Sequence, residues 1–245
     1  IFIVAACMLL GILSSCSYLD VVPDEKATEK DAFEDKDAAK RFVYSCYAYI
    51  PNPRSGTGSL DLFTSDEVVT AFEHETFAAF PKGNYSASNP VISYWNSLFQ
   101  GIKQCYILLN NIDMVPALEA SIKADYIAQA KFLIAYYHFL LVRNYGPVIL
   151  VKEEPSLTTP ADQYAARSPY DECVDYVCHM FDEAAAELPA TRINENYGLA
   201  TSVAAKALKA RMLLYAASPL FNGNSEFYSS FVNKDGTALM PQAYS

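Results

Sequence analysis

Two hexapeptides constrain this chain more than any other feature. Ala130-Lys131-Phe132-Leu133-Ile134-Ala135 and Ala205-Lys206-Ala207-Leu208-Lys209-Ala210 agree at four of six positions and lie 75 residues apart. Each sets small alanines on one stripe of a helix and larger side chains on the next. Neighbouring helices can then approach and interdigitate, as tetratricopeptide-type helix pairs do when they stack. Chance likeness between two Ala/Leu-rich helices is the alternative. Both readings lead to an all-α fold of antiparallel helix pairs joined by long connections that carry aromatics.

Hydrophobic periodicity places the helices. Thr28-Glu29-Lys30-Asp31 reads as a capping box opening the first, with Phe33, Ala39, Phe42, Cys46 and Ile50 on its apolar face and Pro51 and Pro53 at its end. A loop, Arg54 to Ser59, follows; it lacks the GK[ST] that would complete a phosphate-binding loop. Residues 60–88 are the least periodic, with a short helix expected over Asp66–Phe72. Asn89-Pro90 is expected to start the second helix, whose buried stripe runs Ile92, Trp95, Leu98, Phe99, Ile102, Tyr106, Leu109, Ile112. A third spans about Ile122 to Tyr145 and stops at Gly146-Pro147. Val148 to Val151 forms a short strand or an extended connection. Ser168-Pro169-Tyr170-Asp171 reads as a capping box for the fourth helix, and Thr201 caps the last, ended by Ser218-Pro219.

Catalytic chemistry is hard to find in these residues. No G-x-S-x-G, HExxH or Walker loop occurs. His74, His138 and His179 are scattered, and His138 reads as a satisfied core histidine. The adjacent carboxylates Asp66-Glu67 and Asp182-Glu183 diverge from one another, whereas glycosidase chemistry needs two that face each other across a sugar. No cysteine spacing suits a metal, and Cys46, Cys105, Cys173 and Cys178 read as buried free thiols. Lys+Arg 18 against Asp+Glu 28, a net charge of −10, leaves nothing to neutralise nucleic-acid phosphates. The expectation is a protein with no catalytic residues, no metal, no cofactor and no nucleic-acid partner.

The amino-terminal residues carry a different signal. The apolar run Ile1 to Leu13 would rise only ~20 Å as a helix, too short for a bilayer core of about 30 Å. It suits the hydrophobic region of an export signal. Leu13-Ser14-Ser15-Cys16 is similar to a bacterial lipobox, with Cys16 as the lipidated residue; an ordinary signal with an incidental cysteine is the alternative. Between Asp20 and Asp37 stand eight carboxylates and three lysines, a solvated tether. The expected organisation is a lipoprotein signal over 1–15, an acidic tether over 16–27 and a helical domain over 28–245.

The lipobox, "YLDVVPDEKATEKDAFEDKDAAKRFVYSCYAYI", "AKFLIAYYHFLLVRNYGPVILV" and "AAKALKARMLLYAASPLFNG" together resemble the SusD/RagB family of outer-membrane nutrient-binding lipoproteins. Its most specific parts are Arg143 to Pro147 and Arg211 to Gly223. The resemblance implies a tetratricopeptide-bearing fold, lipid-anchored on the outer face of the outer membrane. It also implies a lid over a TonB-dependent (SusC-like) transporter, to which oligosaccharides, or peptides in some branches, are delivered. A tetratricopeptide scaffold without a nutrient ligand is the rival. Family members are usually much longer, so the chain is expected to be an amino-terminal portion.

Sugar sites combine flat aromatics with polar side chains. The irregular region 60–95 holds those ingredients, in Asp66, Glu67, Phe72, Tyr85, Tyr94 and Trp95. Trp95 sits at core spacing with Leu98, Phe99 and Ile102, so core packing competes with a ligand role, and Tyr94 is the less constrained candidate. Arg143 reads as a partner for helix-end carbonyls, and Arg211 as a buried ion-pair partner.

Overall fold

A computed structural model describes residues 31–52, 65, 69–156, 158 and 165–240. The helices are α1 Lys36–Tyr47, α2 Trp95–Asn111, α3 Ala120–Tyr145, α4 Tyr170–Glu187, α5 Ser202–Ala217 and the single turn α6 Ser225–Tyr228. Among the described residues there is no strand, only one isolated antiparallel bridge, Val232 to Ala238. No described helix is long and apolar enough to cross a membrane.

Side-chain contacts show that consecutive long helices run antiparallel. Trp95 meets Tyr145, and Gly101 lies against Tyr137, so α2 and α3 run in opposite directions. Phe132 meets Phe181 and His138 meets Tyr176, reversing α4 against α3. Ser202 at the start of α5 donates its N–H to the Pro189 carbonyl just past α4 at 3.0 Å, and Asp182 pairs with Lys209 at 2.5 Å, reversing α5 against α4. The α1 end joins this stack through Tyr137, whose hydroxyl donates to the Cys46 carbonyl, and through Tyr47, whose hydroxyl donates to Gln129 Oε1 at 3.0 Å. The four long helices and α1 thereby form the helix-pair architecture that the repeated hexapeptides suggest.

Helix α3 is the centre of this stack. From Ala128 to Val142 nearly every side chain is buried, because α2 covers one flank and α4 the other. Burying each large apolar side chain contributes roughly 1.5–3 kcal/mol. The second hexapeptide has no such sandwich. In α5, Ala205 and Met212 are buried, while Val203, Ala207, Ala210 and Leu214 lie exposed along one stripe. Arg211 is therefore exposed, not buried; its guanidinium lies over the rings of Phe139 and Tyr215 at 6.0 and 5.8 Å.

Three helix starts differ from the sequence expectation, each for a local reason. Asp31–Phe33 is one turn of 3-10 helix, and α1 begins at Lys36 because the Asp35 carboxylate accepts from the Ala38 N–H at 2.7 Å. Before α2, Ser86 and Asn89 close a turn on each other, so Pro90 lies outside the helix. The helix starts at Trp95, after Tyr94 donates its N–H to the Tyr145 hydroxyl at 2.9 Å. At α4 the Ser168 side chain does not cap. The first N–H, of Tyr170, is satisfied by the Leu239 carbonyl at 2.8 Å instead. Residues 69–72 are not helical, and the turn of helix in this region is Thr76–Ala79. Thr201 does cap α5, accepting from Ala204 N–H at 3.1 Å, and Gly146, at φ +69°, ends α3.

Cys46, Cys105, Cys173 and Cys178 are buried thiols. Burial pushes the Cys173 and Cys178 thiols up to about 11.

Candidate functional site: an aromatic groove beside α2

The segment Val148–Val151 is an extended connection with no strand partner, and its position comes from side chains on three helices. Val151 donates its N–H to His138 Nε2 at 3.2 Å, and His138 Nδ1 faces the Ile134 carbonyl at 2.8 Å. Nε2 must then accept, so the imidazole is neutral with its proton on Nδ1. Burial holds the His138 pKa down to about 4, opposed in part by the Ile134 bond. The Val151 carbonyl accepts from Tyr106 of α2 and Tyr176 of α4, both at 3.0 Å. Burial raises both phenols, so each stays a protonated donor at neutral pH. Upstream, Val148 is fully buried and its carbonyl accepts from Ser168 N–H at 2.8 Å.

So held, this segment faces the exposed side of α2 across a groove of about 520 Å³. Trp95, Asn96, Phe99, Gln100 and Lys103 line it from the helix; Ile149, Val151 and Pro155 line it from the connection. Trp95 is half-buried and fixed on several sides. Its ring lies 5.0 Å from Phe99 and 5.2 Å from Tyr145, both edge-to-face, and the Arg167 guanidinium carbon sits 5.4 Å over it. Arg167 in turn donates to the carbonyls of Tyr145 and Pro147, at 3.4 and 3.3 Å. The "RNYGP" helix end thus supports the tryptophan as well as terminating α3.

Of the residues expected at a binding site, Trp95 lines this groove. Tyr94 packs its side chain against the core. Phe72 and Tyr85 are exposed in the preceding irregular stretch, Phe72 beside His74 at 5.7 Å and Tyr85 edge-on to Phe80 at 5.4 Å. A small depression of about 130 Å³ in that stretch is lined by Val69, Thr70, Phe77, Ala78, Pro81 and Lys82. Asp66, Glu67 and the lipidation candidate Cys16 lie outside the described residues. The groove adds Asn96, Phe99, Gln100 and Lys103, which sequence reasoning missed. Their signal was present: 95, 99 and 103, with 96 and 100 beside them, share one helix face adjoining the buried stripe.

Chemically, the groove offers two aromatic rings, two amides that both donate and accept, and one ammonium. No group of three or more His, Cys, Asp or Glu that could hold a metal occurs among the described residues. An open groove of this make-up can hold a ligand against its rings while its amides and ammonium hydrogen-bond to it. The chain belongs to the SusD-like family: a sequence profile described as "Starch-binding associating with outer membrane" matches residues 17–214.

Solved structures agree. The protein BT4246 is 34% identical, with a TM-score of 0.78 over 86% of this chain and 37% of its own. A SusD-like protein (BF3747) from Bacteroides fragilis is 28% identical, with a TM-score of 0.65 over 76% of this chain and 36% of its own. A laminarin-binding SusD-like protein, 18% identical with a TM-score of 0.65 over 85% of this chain and 51% of its own, shares the fold. The chain thus spans about a third to a half of the length of these relatives. Among curated proteins no match is found.

Proposed function

We propose that this chain is the glycan-capturing part of a cell-surface lipoprotein, and that oligosaccharide binds in the Trp95 groove. The observation that carries this reading is the groove itself: an aromatic pair flanked by Asn96 and Gln100, open to solvent, with its opposite wall pinned by His138, Tyr106 and Tyr176. Sugars present apolar C–H faces that lie on aromatic rings and hydroxyls that need both donors and acceptors, which amides supply together. The family's description as starch-binding, and a structural relative that binds laminarin, support a carbohydrate over a peptide. The protein acts as a catcher without catalysis of its own and hands its cargo to a TonB-dependent transporter of the outer membrane. Residues 1–15 are its export signal, Cys16 its lipid anchor and 16–27 its tether.

The chain holds a single tryptophan, so intrinsic fluorescence reports on Trp95 alone. Starch- and laminarin-derived oligosaccharides are expected to change that emission saturably. Trp95→Phe and Asn96→Ala should weaken retardation in glycan-containing gels by about tenfold or more. Unchanged emission with every glycan tried, together with saturable binding of peptides, would replace the carbohydrate reading with a peptide one. Cys16→Ala is expected to release the protein from membranes; a mutant that stays in the membrane fraction after high-salt washing removes lipidation as the anchor.

A further inference from the structure

The charge lining the groove is opposite to that of the chain. The whole sequence carries 28 acidic residues against 18 basic ones, yet among the described residues no carboxylate lines the groove, and the one ionisable side chain there is Lys103. Lys103 is half-buried, and among the described residues its ammonium has no ion-pair or hydrogen-bond partner. Glu153, in the same connection, is an exposed carboxylate that does not line the groove, and other nearby charges are engaged elsewhere. Glu154, beside Pro155, accepts from Asn110 Nδ2 at 2.8 Å, and Lys152 lies 5.9 Å over the Tyr176 ring. At the other end Arg167 lies over Trp95. A site for wholly neutral sugars gains from a carboxylate that accepts from hydroxyls. This one presents an ammonium, which only donates, and donates best to an anion.

We infer that the groove selects an acidic oligosaccharide, one bearing hexuronic-acid carboxylates, and that Lys103 is the residue that reads the negative charge. The inference rests on the groove being the glycan site. Lys103 stands eight residues beyond Trp95 on one face of α2, roughly 12 Å along the helix. A sugar ring over Trp95 therefore places a ring about two further along the same chain beside the ammonium. Asn96 and Gln100, between the two, face the hydroxyls. Because the protein as a whole repels anions, discrimination has to come from this local contact.

The test uses the full chain, its Trp95 fluorescence and a matched pair of probes: a galacturonic-acid oligomer and the same oligomer as its methyl ester, alike in shape but uncharged. The acid is expected to bind about tenfold tighter than the ester, as one charge-assisted hydrogen bond provides. Raising the salt concentration should narrow that gap. Lys103→Gln should abolish the preference, lowering affinity for the acid by about tenfold more than for the ester. Equal affinity for acid and ester overturns the inference and leaves the groove reading standing, as does a preference that survives in Lys103→Gln. Neutral starch oligomers that bind while both probes fail also overturn it. If no saccharide, charged or neutral, alters Trp95 emission, the groove reading falls and the inference falls with it.

Discussion

His138, fully buried in α3, accepts a hydrogen bond from the backbone N–H of Val151, thirteen residues along the chain and outside any regular element. This bond spans the helix core and the groove wall. It requires a neutral imidazole, because a protonated one has no lone pair to offer.

Stability is expected to fall in mild acid through this residue. Its pKa is about 4 in the folded protein against 6.5 for a free histidine. Between those values the unfolded chain takes up a proton that the folded one refuses, so stability rises with pH across that window and is level above it. The contribution is about 2–3 kcal/mol between pH 7 and pH 4.5. Urea unfolding of wild type and His138→Gln at both pH values checks it. The variant should lose stability at pH 7 and show a smaller pH dependence than wild type.

Arg192 and Asp125 form the most enclosed ion pair among the described residues. Two guanidinium nitrogens meet the carboxylate at 2.7 and 2.9 Å, with the arginine side chain 8% and the aspartate 25% exposed. Arg192 also donates to the Ala200 carbonyl, and Ala200 N–H donates to the Tyr47 hydroxyl, tying the α4–α5 connection to α1 and α3. Arg192→Ala leaves the carboxylate with the Gln129 amide, at 2.7 Å, but no positive charge, and should cost about 2–4 kcal/mol, read as a lowered urea midpoint. Arg192→Lys should recover only part, because it cannot form the two-pronged contact.

Gly101 marks where α2 comes closest to its neighbours. A Cβ there would stand 2.8 Å from Tyr137 Cε2 and 2.8 Å from Tyr49 Cβ. Tyr137 cannot swing aside, being fully buried with its hydroxyl bonded to the Cys46 carbonyl. Gly101→Ala gains up to about 1 kcal/mol of helix propensity and loses about 1–3 kcal/mol to overpacking. A net drop in melting temperature is expected, in contrast to the usual result of filling a helical glycine.

The buried thiols should be slow to react. Cys173 and Cys178, at about 11, hold almost no thiolate at neutral pH. Mass spectrometry after brief iodoacetamide treatment should find both unmodified in native protein and both alkylated in urea.

Much of the scaffold was written in local patterns. Tyr170, Val174, Val177, Phe181, Ala184 and Leu188 recur at the 3.6-residue helical period, and all are buried. Thr201 and Gly146 marked their helix ends because a cap and a positive φ are matters of a few neighbouring atoms. Local patterns failed where a distant group took over a terminal N–H. Leu239 displaced Ser168 at α4, and the Tyr145 hydroxyl holds the N–H of Tyr94 at the start of α2.

The candidate site divides the same way. The sequence alone determined the helical class and the family, because periodicity and motif are properties of neighbours along the chain. Only the tertiary structure decided that Trp95 faces a groove as well as the core, and that Val151 is its opposite wall. It also decided that Lys103, alone of the charged side chains among the described residues, lines that groove. Those facts depend on the bonds that join Tyr106, His138 and Tyr176 to the backbone of Val151, and on which face of α2 the neighbouring helices leave uncovered. A sequence lists those groups, but their meeting is created only by packing three helices together.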